Sequence, residues 1–187
     1  AVTSNVDAAR RFGVRAEDIL PMAEGVGGRY SLWSAVGTII AIRAGWQAFA
    51  DLLDGARAMD THFRMAPLER NLPVLLGLLG YWNARWLGHA QRVIVPYAQA
   101  LTRLPSYLQQ LTLESNGKSV RRDGTPVSGN TAPALWGDVG TDSQHAFFQW
   151  LHQGTREAPV EFIVPVRSRH PLRDQQTLLV ANALAQA

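Results

Sequence analysis

The sequence predicts an α/β protein, a three-layer sandwich in which a mainly parallel sheet is wrapped by helices on both faces. Two observations lead there. Short apolar runs at residues 92–97, 132–136 and 160–166 are separated by segments of helical pattern, and this alternation implies crossover connections and parallel pairing. The first and last of these runs are apolar with little alternation, as in strands covered on both faces. The 187 residues fit one domain or pieces of two and allow a sizeable core.

Taken in order, residues 5–12 read as a short helix closed by a turn at Gly13, and residues 19–23 as a brief strand. Glu24-Gly25-Val26-Gly27-Gly28-Arg29-Tyr30-Ser31 follows, where three glycines permit a tight turn and a close backbone approach. Ser31 is placed to N-cap an apolar helix running through Ile42. Residues 45–88 are helical in pattern, with one amphipathic segment around Trp46 to Leu53 and another at 60–63. An apolar helix at 71–86, entered through Pro73, reads as core. The strand at 92–97 is stopped by Pro96 and leads into a helix over 101–113. Asp123-Gly124 marks a turn or hairpin, the loop 137–143 delivers the chain into a helix at 144–153, and residues 178–187 form a final helix.

Composition excludes several classes of function. At 47% hydrophobic and 18% charged the chain has the make-up of a soluble globular protein. Net charge is +3, and Lys118 is the single lysine. The arginines are scattered apart from Arg10-Arg11 and Arg121-Arg122, so there is no concentrated face for nucleic acid. The absence of cysteine excludes disulfides and thiolate metal sites and fits a reducing compartment such as the cytoplasm. Apolar runs at 32–42 and 72–82 are too short to span a bilayer of about 30 Å, and no signal peptide opens the chain. Because it starts at Ala1 and ends inside a helical pattern, the chain is expected to be part of a longer polypeptide.

Three places carry chemistry. In Gln109-Gln110-Leu111-Thr112-Leu113-Glu114-Ser115-Asn116-Gly117-Lys118 a helix breaks and leaves Glu114 at the break. Gln110, four residues earlier, shares its helix face. That pair suits a positioned base, and it also reads as an ordinary solvated helix end. Arg29 stands at a glycine turn before a helix start, where unpaired N–H groups receive anions; a plain turn with a surface arginine is the alternative. The spacing is not a dinucleotide fingerprint, since its third glycine position falls on Tyr30. His145, near the start of its helix, can pass protons near neutral pH or simply make a local hydrogen bond. His152 lies seven residues on, about two turns along the helix and too distant for a metal pair, and no metal set of the HExxH kind is present. Nucleophile-elbow and P-loop motifs are missing as well. Ligands of parallel sheets collect at the C-terminal ends of strands, where the arginine turn and the loop before His145 lie; Glu114 has to be brought there by packing.

Together these stretches resemble the glucose-6-phosphate isomerase family. Val26-Gly27-Gly28-Arg29-Tyr30-Ser31-Leu32-Trp33-Ser34-Ala35 looks like one signature of that family and Leu113-Glu114-Ser115-Asn116-Gly117-Lys118 like a second. Gly140-Thr141-Asp142-Ser143-Gln144-His145-Ala146-Phe147 resembles a third. Met59-Asp60, His62-Phe63-Arg64, Pro67-Leu68-Glu69 and Asn71-Leu72-Pro73-Val74-Leu75 fit between them in the family's order.

The resemblance implies a cofactor-free aldose–ketose isomerase of two sugar-isomerase (flavodoxin-like) domains. Such an enzyme works as a homodimer on hexose 6-phosphates, interconverting glucose 6-phosphate and fructose 6-phosphate through a cis-enediol. Residues 1–45 would end the first domain and residues 46–187 form most of the second. By the same resemblance Glu114 is the base moving the proton between C1 and C2. Arg29 stabilises the enediolate, with Gly28 against the substrate, and Gln110 contacts the sugar. His145 assists ring opening and reaches the partner subunit's site. No metal is implied. The chain departs from the family at Met22-Ala23-Glu24-Gly25, where an aromatic-rich segment is common. Asp138-Val139 and Asp142-Ser143 stand where Glu-Pro and Asn-Gly are usual. The upstream serine- and threonine-rich phosphate loops and the downstream active-site lysine are absent, so these residues are expected to be inactive alone. A related hexose-phosphate isomerase and a non-catalytic sugar-phosphate-binding module are the alternatives.

Overall fold

The computed structural model describes residues 1–167 and 172–187, which divide into two units, Ala1–Gly77 and Leu78–Ala187. The first unit opens on β1 (Val2–Thr3), paired in parallel with β2 (Leu20–Pro21). Between them lies α1 (Val6–Arg11), capped by the Asn5 side chain, which accepts the Ala8 N–H at 2.9 Å. The expected short helix and brief strand are present. A two-residue β1 is too short to leave a periodic signal.

From Gly28 the chain departs from expectation, because Ser31 caps no helix. Gly28–Trp33 winds as a 3-10 helix, followed by a second one, Ala35–Gly37, and then by α2 (Thr38–Ala44). The hydroxyls explain the tighter winding. Ser31 donates to the Gly28 carbonyl at 2.7 Å, Ser34 to Ser31 at 2.7 Å and Thr38 to Ala35 at 2.6 Å. Each bond reaches three residues back and competes with continuous α-helix.

α3 (Trp46–Met65) is one helix where two segments were expected. Gly55 sits inside it, at a cost of about 1 kcal/mol relative to alanine, too little to break twenty residues. α4 (Leu72–Arg85) follows through a corner in which each helix end is satisfied by a side chain beyond it. His62 Nε2 accepts the Leu72 N–H at 3.0 Å. The Asn71 amide donates to the Phe63 carbonyl at 2.7 Å, while its Oδ1 accepts the Val74 N–H at 3.3 Å. The reading of α4 as core is corrected: Leu78, Leu79 and Trp82 are 61%, 60% and 52% exposed. A helix apolar all round needs cover on every side, and the described chain covers these only in part, Trp82 by stacking on Trp86 with ring centroids 5.1 Å apart.

The second unit carries the sheet. β3 (Gln91–Pro96) is central, with β4 (Ala134–Trp136) on one side and β5 (Val160–Ile163) on the other, all parallel. Val93 pairs with both Trp136 and Val160. The parallel α/β class is thus the observed one. Tyr97 continues the central strand by donating its N–H to the Ile163 carbonyl at 2.8 Å. With Val93, Val95, Phe148 and Ala183 it forms the core.

β3 leads through a 3-10 turn into α5 (Leu104–Asn116), whose early Pro105 is tolerated because first-turn N–H groups have no helical partner. β4 leads into α6 (Gly140–Ala146) and α7 (Phe148–Gln153), β5 toward α8 (Arg173–Gln186). The expected helix at 144–153 is therefore two helices and starts earlier; the chain changes direction at Phe147 (φ −143°, ψ 0°). The hairpin at Asp123-Gly124 is closed by an antiparallel bridge between Val120 and Pro126, with Gly124 at φ +82°.

Candidate functional site

α5 runs to Asn116, three residues past the expected end, so Glu114 lies in its last turn instead of at a break. Its carboxylate is exposed, and Gln110 Nε2 donates to Oε2 at 3.4 Å. The face-sharing read from a spacing of four is realised. Helix termination depends on Gly117. Its N–H still reaches the Leu113 carbonyl at 2.9 Å, then Lys118 N–H turns back to the Asn116 carbonyl at 2.8 Å. With Gly117 at φ −75°, ψ 50° this is an inverse γ-turn. The C-terminal end of a helix is electronegative. Lys118 offsets this by donating Nζ to the carbonyl of Glu114 at 2.6 Å.

His145 stands in the last turn of α6, exposed, not near a helix start. Two close approaches set the path to it. At Gly137 (φ +151°) a Cβ would stand 1.9 Å from the Ile94 carbonyl oxygen, so the end of β4 can pass β3 only as glycine. At Gly140 a Cβ would stand 2.3 Å from the Tyr97 ring. Gln144 Nε2 donates to Tyr97 Oη at 3.0 Å. Ser143, in the same helix, is fully buried, and among the described residues its hydroxyl has no hydrogen-bond partner.

Arg29 and Gly28 belong to the first unit. Gly28 takes φ +57° and opens the 3-10 turn on which Arg29 is exposed. Glu114 and Gln110 are thus brought together, His145 is in the same unit on the connection leaving β4, and Gly28 is next to Arg29. An open cleft of about 840 Å³ in the first unit, lined by Trp33, Asp51, Leu52, Arg57 and Met59 among others, includes none of these residues. Among the described residues no group of three His, Asp or Glu is placed to hold a metal ion, and no helix is long and apolar enough to cross a membrane.

The sequence reading overlooked Gln109. Its Nε2 donates to the Leu135 carbonyl at 2.8 Å, tying α5 to β4. The signal was available: adjacent residues on a helix face different ways, so of two consecutive glutamines one turns from Glu114. In the hairpin after Lys118, the Asp123 carboxyl is held below its ordinary value of 3.8, first by the Thr125 hydroxyl and then by the Thr125 N–H.

The phosphoglucose isomerase family model matches residues 1–187. Glucose-6-phosphate isomerases of Brucella ovis and Brucella melitensis are each 53% identical over 188 residues, covering 100% of this chain and 34% of those proteins. A crystal structure of a glucose-6-phosphate isomerase from Chlamydia trachomatis matches with a TM-score of 0.85 at 36% identity, over 96% of this chain and 40% of that one. A hypothetical protein from Thermus thermophilus matches with a TM-score of 0.70 at 28% identity, over 96% and 44%. The chain spans about a third of the length of the curated relatives it matches.

Proposed function

The chain belongs to the phosphoglucose isomerase family, and on that premise we propose that the full-length protein interconverts glucose 6-phosphate and fructose 6-phosphate through a cis-enediol. The reading assigns residues 1–45 to the end of a first sugar-isomerase domain and residues 46–187 to most of a second. It places the enzyme in the cytoplasm as a homodimer without cofactor.

The observation that carries the proposal is the Gln110–Glu114 pair, which spans one turn near the end of α5. Moving hydrogen between adjacent carbons needs one base that removes a proton and returns it to the neighbouring carbon, and a carboxylate can do both. Gln110 donates to one carboxylate oxygen, Oε2, and in this reading the other takes the proton. Arg29 remains charged throughout and stabilises the oxygen that becomes anionic in the enediolate, with the Gly28 backbone beside it. His145 passes protons at the ring oxygen and the anomeric hydroxyl as the hemiacetal opens. The test is Glu114→Gln in the full-length protein, followed by a coupled assay of glucose 6-phosphate formation. Loss of the base lowers kcat by about 10²- to 10⁴-fold; a near wild-type kcat overturns the assignment.

A further inference from the structure

The open edge of the sheet gives Gln109 a role. Among the described residues β4 is an outer strand, paired with β3 alone. In a parallel ladder, alternate residues direct their N–H and C=O groups toward the neighbour and away from it. Ala134 faces β3, since its N–H bonds the Ala90 carbonyl at 2.8 Å; Leu135 therefore faces outward. Leu135 is 2% exposed, so water has little access to its carbonyl, and a buried acceptor needs a partner. Gln109 supplies it at 2.8 Å. The neighbouring Gln110 turns its amide to Glu114 instead. Two consecutive amides thus act on α5 in different directions, one toward the sheet and one toward the carboxylate.

The strand that receives Gln109 also matters to the site. Two residues beyond Leu135 the chain passes β3 at Gly137, where no side chain fits, and three residues later it enters α6, which carries His145. The Gln109–Leu135 bond therefore joins the element bearing Glu114 to the one leading to His145. α5 packs on both β3 and β4, yet apolar packing lets a helix slide along a strand far more readily than a directed hydrogen bond does.

We propose that Gln109 is a positioning residue of the isomerase site, its amide bond to the Leu135 carbonyl fixing α5 along β4 and so setting where the Glu114 carboxylate stands. The proposal rests on the reading of Glu114 as the proton-shuttling base. Gln109 itself touches no substrate in this scheme. Its effect is on placement, where an error on the order of 1 Å costs up to about 100-fold in rate.

The experiment compares full-length wild type with Gln109→Met, which keeps length but has no donor, and Gln109→Lys, which restores a donor of similar reach. The readouts are kcat, KM for fructose 6-phosphate, melting temperature, and amide exchange of residues 111–116. In Gln109→Met, kcat falls about 10- to 100-fold with KM within about twofold, exchange over 111–116 accelerates, and Gln109→Lys recovers most of the loss. A wild-type kcat in Gln109→Met overturns the proposal even if the melting temperature falls, because the bond is then a structural tie alone. If the wild-type protein turns over no hexose phosphate, the functional reading fails separately. Exchange still decides whether Gln109 holds α5, and unchanged exchange over 111–116 overturns that too.

Discussion

Gly117→Ala sets two known effects against each other one turn from the proposed base. At φ −75° an alanine meets no backbone strain, and replacing glycine at such a position ordinarily stabilises by about 0.4–1 kcal/mol through the unfolded chain. Against that, the added Cβ would stand 2.5 Å from the Leu113 carbonyl oxygen. Ordinary contact requires a separation nearer 3.5 Å, so the helix end must move by about 1 Å. The obstacle is backbone, already engaged by the Gly117 N–H at 2.9 Å, and cannot rotate away as a side chain would. Overpacking of this kind costs about 1–3 kcal/mol, which exceeds the entropic gain. The net expectation is destabilisation by about 1–2 kcal/mol, read from urea unfolding of the full-length protein. Since Glu114 and the Lys118 contact to its carbonyl lie in the segment that must move, kcat should fall by about 10-fold or more. A variant as stable and as fast as wild type would refute the account of how α5 ends.

Two further outcomes follow from the same unit. Ser143→Ala removes a fully buried hydroxyl without a partner among the described residues, and an unsatisfied group of that kind costs about 1–3 kcal/mol. The substitution should therefore raise the urea midpoint at constant slope, whereas a lower midpoint would mean that the hydroxyl is satisfied. Asp123, lowered first by the Thr125 hydroxyl, lends the hairpin stability that is complete above 3.8 and lost as pH falls through its depressed value. Its carboxyl carbon, followed by NMR, should titrate below 3.8, and Thr125→Ala should move the midpoint back up.

The parts that were legible in the sequence depend on short-range rules. β3 and β5 could be read because strands covered on both faces are written as apolar runs, and α1 because its polar cap precedes its first turn. The Gln110–Glu114 neighbourhood follows from helical periodicity alone. What could not be read depends on contacts remote in the chain or on close competition between local conformations. The turn after Gly28 is one example: three hydroxyl-to-carbonyl bonds tip it from α-helix to 3-10 winding, and a serine before an apolar run looks the same in either case. α6 begins at Gly140, four residues before the expected start, where the chain lies against Tyr97, 43 positions earlier in sequence. That contact leaves no periodic trace, and it moves His145 from near a helix start to a helix end.

α4 shows the reverse case, in which the pattern is plain and the structure departs from it. Apolar residues on every side predict burial, yet Leu78, Leu79 and Trp82 remain more than half exposed. Periodicity reports what a helix needs around it, not what the chain at hand provides. The curated relatives share this stretch at 53% identity and are about three times as long. Where an apolar pattern and the exposure of its residues disagree along much of a helix, the chain has more apolar surface than its own described residues cover. Glu114, Gln110 and Gln109 escape that difficulty because their contacts are made within β3–α5–β4 of the second unit. The placement of the proposed base is therefore set by contacts within this stretch of chain.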